Sequence, residues 1–206
     1  QIERLVTADP VLTGDVTISP AEGTMLPETY LFQRGTTRDE ILTRMAEAMT
    51  KTLVPLWEDR AAELPFDTME DAVILASIVE KETAIAAEPP RIAAVFVNRL
   101  NKGIRLQSDP TIIYGINGGE PLGRGIRLSE LRGKTPYNTY VINGLPPTPI
   151  GNPGLAALEA VLNPPKSGEL FFVADGTGGH VFASTNQQHQ RNVAKWRRVE
   201  RERGSQ

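Results

Sequence analysis

The sequence predicts an α+β fold: a mainly helical domain with a long, loop-rich groove region and one small antiparallel β-hairpin. Three observations point there. Apolar residues recur at helical spacing behind capping residues in several segments. The apolar runs Leu170-Phe-Phe-Val-Ala174 and His180-Val-Phe-Ala183 flank the turn Asp175-Gly-Thr-Gly-Gly179, which is a hairpin signal. The stretch 103–153 has little periodicity and is rich in Gly, Pro, Asn and Tyr. A span of that length is either functional or disordered, and its aromatic and amide content favours a folded binding region.

Each element follows in order. Residues 1–20 read as a short helix or loop and then a strand, since Val16-Thr-Ile-Ser19 alternates with period two. Glu22-Gly-Thr-Met-Leu-Pro-Glu-Thr-Tyr30 is a loop punctuated by Gly and Pro. Thr36 or Thr37 opens a helix, with Glu40 completing a capping box after Thr37. That helix runs to about Arg60, and Pro55 is expected to kink or interrupt it. Asp67 or Thr68 opens the next, which ends near Ala87 before Pro89-Pro90. A third helix starts at Pro90 and reaches Asn101, closed by Gly103, with Ile92, Val95, Phe96 and Leu100 as its buried stripe. Ser129 to Leu131 forms one helical turn inside the loop-rich region. Gly154 to Leu162 is a short helix after Pro153. Ser184 or Thr185 caps a terminal helix that passes Trp196 into the mixed-charge run Arg197 to Arg203, a solvated face.

Composition narrows the function classes. The chain has 206 residues, 40% of them hydrophobic, enough for a substantial core. A net charge of −3 provides no basic field for nucleic acid. With no cysteine and only two histidines, His180 and His189, neither disulfides, thiolate sites nor a His-rich metal centre are expected. No run approaches the roughly 20 apolar residues of a membrane span. The chain starts at Gln1 without a Met, which fits an excised fragment.

The most informative segment is Ala76-Ser-Ile-Val-Glu-Lys-Glu-Thr83. At about 100° per residue, Leu75, Ile78, Val79, Ile85 and Ala86 all fall within roughly 60° of Glu82. Glu80 falls on the opposite side, with Ser77 and Ala84. A carboxyl on an apolar face is costly unless it has a partner or does chemistry. Burial raises its pKa and suits it to act as a general acid. Geometry alone leaves two readings of Glu82, catalyst or member of a buried ion pair. A two-carboxylate glycosidase would need a second acid from elsewhere, because residues two apart diverge on a helix. Glu22 and Asp109 are the loop candidates.

The loop-rich region carries further polar groups. Arg105-Leu-Gln-Ser-Asp-Pro-Thr111 and Tyr114 combine a guanidinium, Gln107, Ser108 and Asp109 beside a phenol. Tyr137-Asn138-Thr-Tyr140, Asn143 and Asn152 add phenols and amides in a prolyl framework. Neutral donors and acceptors beside aromatic rings suit a carbohydrate. The competing reading is a set of turns that satisfy their own backbone. The glycines 176–179 lie between strands rather than before a helix, so they make a turn and no phosphate loop. Lys81 points away from Glu82 and no phosphate site accompanies it, so no pyridoxal phosphate or other cofactor is expected.

Together these segments resemble the MltG (YceG-like) family of endolytic murein transglycosylases. The match rests on Glu22-Gly-Thr-Met-Leu-Pro-Glu-Thr-Tyr, Ala76-Ser-Ile-Val-Glu-Lys-Glu-Thr, Val97-Asn98-Arg99-Leu, Arg105-Leu-Gln-Ser-Asp-Pro-Thr, Tyr137-Asn-Thr-Tyr, Gly144-Leu-Pro-Pro, Phe172-Val-Ala-Asp-Gly and Gly179-His180-Val-Phe, in family order. The resemblance implies residues 21–206 as the catalytic domain and 1–20 as a remnant of a LysM-like subdomain or a linker. It implies Glu82 as the catalytic acid, with Glu22, Glu80, Asn98, Arg99, Gln107, Ser108, Asp109, Tyr114, Tyr137, Asn138, Tyr140, Asn152 and His180 lining the substrate groove. It also implies peptidoglycan strands as substrate, peptidoglycan synthases as partners, and a full-length protein anchored on the periplasmic side of the inner membrane. Members of this family have also carried the label aminodeoxychorismate lyase, which the missing cofactor site argues against.

Overall fold

The computed structural model describes residues 1–204. Helices α1 (Ile2–Ala8), α2 (Arg38–Glu58), α3 (Met69–Glu82), α4 (Pro89–Asn101), α5 (Asp109–Asn117), α6 (Leu128–Leu131) and α7 (Leu155–Leu162) precede strands β1 (Phe171–Ala174) and β2 (His180–Ala183), and α8 (Asn186–Gly204) follows. The helices with one antiparallel hairpin make an α+β fold. The hairpin pairs Phe171 with Ala183 and Ala174 with His180.

Capping signals correctly mark most helix starts. At α2, Thr37 Oγ1 accepts from the Glu40 amide while Glu40 Oε2 accepts from the Thr37 amide at 2.7 Å, the reciprocal capping box. Pro55 does not end this helix, which continues to Glu58. The carbonyl left unpaired by the missing N–H belongs to exposed Lys51, where water can satisfy it. Thr68 caps α3 by accepting from the Asp71 amide at 3.1 Å.

Helix α3 is the centre of the molecule and packs against α4, α5 and α7. All residues from Ala72 to Val79 are buried. Burial therefore extends to the side opposite Glu82. Ser77, placed on that side, is fully buried, donating to the Ile74 carbonyl at 2.7 Å and accepting from the Ile150 amide at 3.0 Å. The helix also ends at Glu82 rather than Ala87, because Thr83 turns to extended backbone (φ −144°, ψ 142°). Ile85 and Ala86 therefore do not share a helical face with Glu82.

Two further expectations change. Residues 16–19 form no strand; there the Thr17 amide is held by Asp39 Oδ1 at 2.9 Å. The loop-rich region contains a nine-residue helix, α5, with Ser108 as N-cap and Gly118 (φ 72°) closing its end. Ser108-Asp-Pro110 with Gly118 ten residues after Ser108 is a helix start and stop pattern, which the reading of this region as turns obscured. Residues 1–20 lie against α2: Val6 and Leu12 join Ile41, Leu42 and Met45 in a small second core. Arg38 fastens them there through the carbonyls of Val6, Thr7, Asp9 and Gly14.

Candidate active site

A cleft of about 360 Å³ opens where the end of α3, the turn into α5 and the hairpin meet. Glu82, Arg99, Gln107, Asp109, Tyr140, His180 and His189 supply its polar groups, and Leu106 and Phe172 its apolar wall. Both histidines of the chain are here.

Glu82 is the last residue of α3, where the preceding turns bury Leu75, Ile78 and Val79 completely. The residue keeps partial access through the cleft, while its carboxyl is enclosed by protein. Burial pushes its pKa up to about 7, and the negative charge of Asp109 pushes the same way. The Ser108 hydroxyl and the Arg99 charge oppose them. The C-terminal end of a helix, with its unpaired carbonyls, also disfavours a carboxylate. Among the described residues no basic group lies within ion-pair distance of Glu82, and Arg99 acts on it through its charge. Near neutral pH it exchanges readily between acid and carboxylate.

Arg99 holds the surrounding backbone. It is 7% exposed and donates to the carbonyls of Leu170 (2.6 Å), Arg105 (3.0 Å) and Leu106 (2.9 Å) and to Gln107 Oε1 (3.2 Å). One guanidinium thus joins α4, the hairpin and the turn before α5. Gln107 has φ 54°, the single positive φ at a non-glycine among the described residues. Such a conformation costs on the order of 1–3 kcal/mol and persists only where surroundings enforce it. Arg99 and the Thr139 carbonyl, which accepts from the Gln107 amide at 3.2 Å, do so here.

Ser108 follows. Its amide donates to Thr139 Oγ1 at 2.9 Å, and its hydroxyl does not cap α5. That hydroxyl is buried without a hydrogen bond of ordinary geometry and sits beside the Glu82 carboxyl, whose charged form it favours. Asp109 accepts from the Tyr140 hydroxyl at 2.6 Å. Burial and that carboxylate push the Tyr140 phenol well above its ordinary range, so it stays a donor. His189 stacks on Phe171 at 5.0 Å, and burial and Arg99 hold it below its ordinary pKa, so it is neutral. Among the described residues no group of His, Asp or Glu is arranged to hold a metal ion.

Of the residues named from sequence, Glu82, Arg99, Gln107, Asp109, Tyr140 and His180 line this cleft, and Ser108 lies behind it. Glu22, Glu80 and Asn152 line a different cleft of about 570 Å³ with Lys81 and residues of α1. There Glu80 accepts from the Gly154 amide and Asn152 from the Met25 amide. Tyr114 and Tyr137 pack together with ring centres 4.8 Å apart. Asn138 is buried and bridges the carbonyls of Glu130, Leu131 and Gly133. Asn98 joins α4 to the carbonyls of Ser167 and Glu169. Sequence reasoning missed His189 and Phe172; the rarity of histidine was the available signal for the first.

The profile of the YceG-like family matches residues 2–195. The chain is similar to an endolytic murein transglycosylase of Streptococcus pneumoniae, 39% identical over 181 residues, covering 84% of this chain and 32% of that protein. It is similar to one of Bacillus subtilis, 33% identical over 177 residues, covering 86% and 48%. The crystal structure of a YceG-like protein of Listeria monocytogenes superposes with a TM-score of 0.70 at 32% identity, covering 92% of this chain and 62% of that one. The chain thus spans about a third to a half of the length of these curated relatives. On the family match over nearly its whole length, together with a fold shared at 32% identity, the chain belongs to the YceG-like family.

Proposed function

We propose that this chain is the catalytic region of an endolytic murein lytic transglycosylase, with Glu82 as its single acid and base. The observation that carries the reading is Glu82 itself: an enclosed carboxyl lining a cleft, with its pKa pushed up to about 7. Protonated Glu82 donates its proton to the oxygen between N-acetylmuramic acid and N-acetylglucosamine as the C1–O bond breaks. Positive charge develops at the muramyl C1 and ring oxygen. Glu82, now a carboxylate, takes the proton of the muramyl 6-hydroxyl, and that oxygen closes on C1. The products are a 1,6-anhydromuramyl end and a free 4-hydroxyl on the leaving sugar, with no water consumed. A pKa near neutrality suits both steps, since the same group must give and then accept a proton.

The rest of the cleft fits a sugar. Tyr140, Gln107 and the two imidazoles offer hydrogen-bonding groups, and Phe172 offers an apolar wall. The relatives' names support murein as the polymer. Cleavage within strands would trim or terminate nascent glycan beside the synthases, on the outer side of the cytoplasmic membrane. No helix among the described residues is long and apolar enough to cross a membrane.

A second reading is a hydrolase, favoured by one observation: Asp109 lines the same cleft. Its carboxylate is engaged by the Tyr140 hydroxyl, which weakens it as a base for water. Product mass separates the two, because an anhydro end weighs one water less than a reducing end.

A further inference from the structure

We propose that His180 is a substrate-contacting residue that accepts a hydrogen bond from a glycan hydroxyl through Nε2, and that Glu88 is the positioning residue that fixes it in that state. This rests on the reading of the cleft as the glycan site.

Glu88 and His180 are separated by 92 residues and meet in a dense contact. His180 Nδ1 lies 2.8 Å from Glu88 Oε2, and the His180 amide donates to Glu88 Oε1 at 2.7 Å. The Thr83 hydroxyl, next to Glu82 in the chain, donates to Glu88 Oε2 at 2.7 Å. These donors outweigh the burial that would raise its pKa and hold Glu88 below its ordinary value, as a carboxylate. A carboxylate accepts only, so Nδ1 carries a proton. In the neutral ring the lone pair then lies on Nε2.

Packing fixes where the ring sits. Phe172 meets it edge-on at 5.3 Å and Phe182 stands 6.5 Å away. Among the described residues Glu88 is the partner of the imidazole, and His180 lines the cleft that holds Glu82. Within that cleft the Tyr140 hydroxyl donates to Asp109 and Arg99 donates to Gln107 Oε1 and backbone carbonyls. His180 Nε2 adds an acceptor for a sugar hydroxyl on the hairpin side of the cleft that Asp109 and Tyr140 also line. Thr83 ties the same carboxylate to the end of α3, so the acceptor and Glu82 are placed from one point.

The test uses histidine-labelled ¹⁵N protein and two sets of variants. In the wild type, nitrogen shifts should report His180 as the Nδ1–H tautomer at neutral pH. In Glu88→Gln the amide oxygen takes the His180 amide proton and the NH₂ group faces Nδ1, so the proton should move to Nε2. Cleavage of murein strands should then fall about tenfold, the effect of one lost hydrogen bond. His180→Gln, whose amide oxygen reaches the position of Nε2, should retain several-fold more cleavage than His180→Phe at matched thermal stability. An Nε2–H tautomer or a doubly protonated ring in the wild type at neutral pH, or equal cleavage by the two His180 variants, overturns the proposal. The tautomer is read without substrate. A correct tautomer with no cleavage change in Glu82→Gln would instead sink the glycan-site reading.

Discussion

Glu82→Gln should make the folded protein more stable at alkaline pH while abolishing its activity. An acid with a pKa of about 7 in the fold and 4.5 as its ordinary value binds its proton more tightly when folded. Stability from that proton is complete below about pH 4.5 and is lost as pH rises towards 7. Once both states are ionised the loss is about 3 kcal/mol, from 1.36 kcal/mol per pH unit. Partial access of Glu82 to solvent brings the expectation to about 2 kcal/mol. The glutamine side chain has nearly the same shape and no charge. Urea unfolding of both proteins from pH 4 to pH 8.5 reads the effect. The two should agree within about 0.5 kcal/mol at pH 4 and separate by about 2 kcal/mol in favour of the variant at pH 8.5, several degrees in Tm for a chain of this size. A gap that is constant with pH, or a variant less stable at pH 8.5, would refute the claim that burial holds this carboxyl protonated.

Other perturbations follow from the same geometry. Asp109→Asn removes a charge that raises the Glu82 pKa, so the alkaline limb of the cleavage pH profile should move to lower pH; an unmoved limb would separate Asp109 from Glu82. Arg99→Lys should unfold at about 3 kcal/mol lower stability by urea titration, since one ammonium cannot serve four acceptors on two elements. Leu75→Ala, at a position with no exposure in the central helix, should cost about 2–5 kcal/mol in the same assay with the Glu82 pH dependence unchanged.

Local signals were legible in the sequence and long-range ones were not. The capping box at Thr37 and Glu40 and the Gly-rich hairpin turn are set by residues three or four apart, and both are seen. The end of α3 was misread because its cause is distant. Thr83 leaves the helix with its hydroxyl on Glu88, and the Ile85 amide returns to that hydroxyl at 3.0 Å. No Gly or Pro marks the place. Glu82 was singled out as an acid on an apolar face; the turns before it are buried, while its carboxyl meets Ser108, Asp109 and Arg99. The face, however, includes no residue beyond the helix, and from Ala72 to Val79 the helix is buried all round. The pairs that shape the cleft, Tyr140 with Asp109 and His180 with Glu88, join residues 31 and 92 apart. No periodicity or spacing reveals them. Asn138 and Asn98 show the converse: their amides looked like sugar ligands and are engaged by backbone carbonyls.

The central claim is that one carboxyl, Glu82, both gives and takes the proton in a cleavage without water. Mass spectrometry of muropeptides after digestion of murein by the wild-type chain and by Glu82→Gln tests it most directly. The account predicts 1,6-anhydromuramyl ends from the wild type and none from the variant. Reducing ends from the wild type, or undiminished cleavage by the variant, would contradict it.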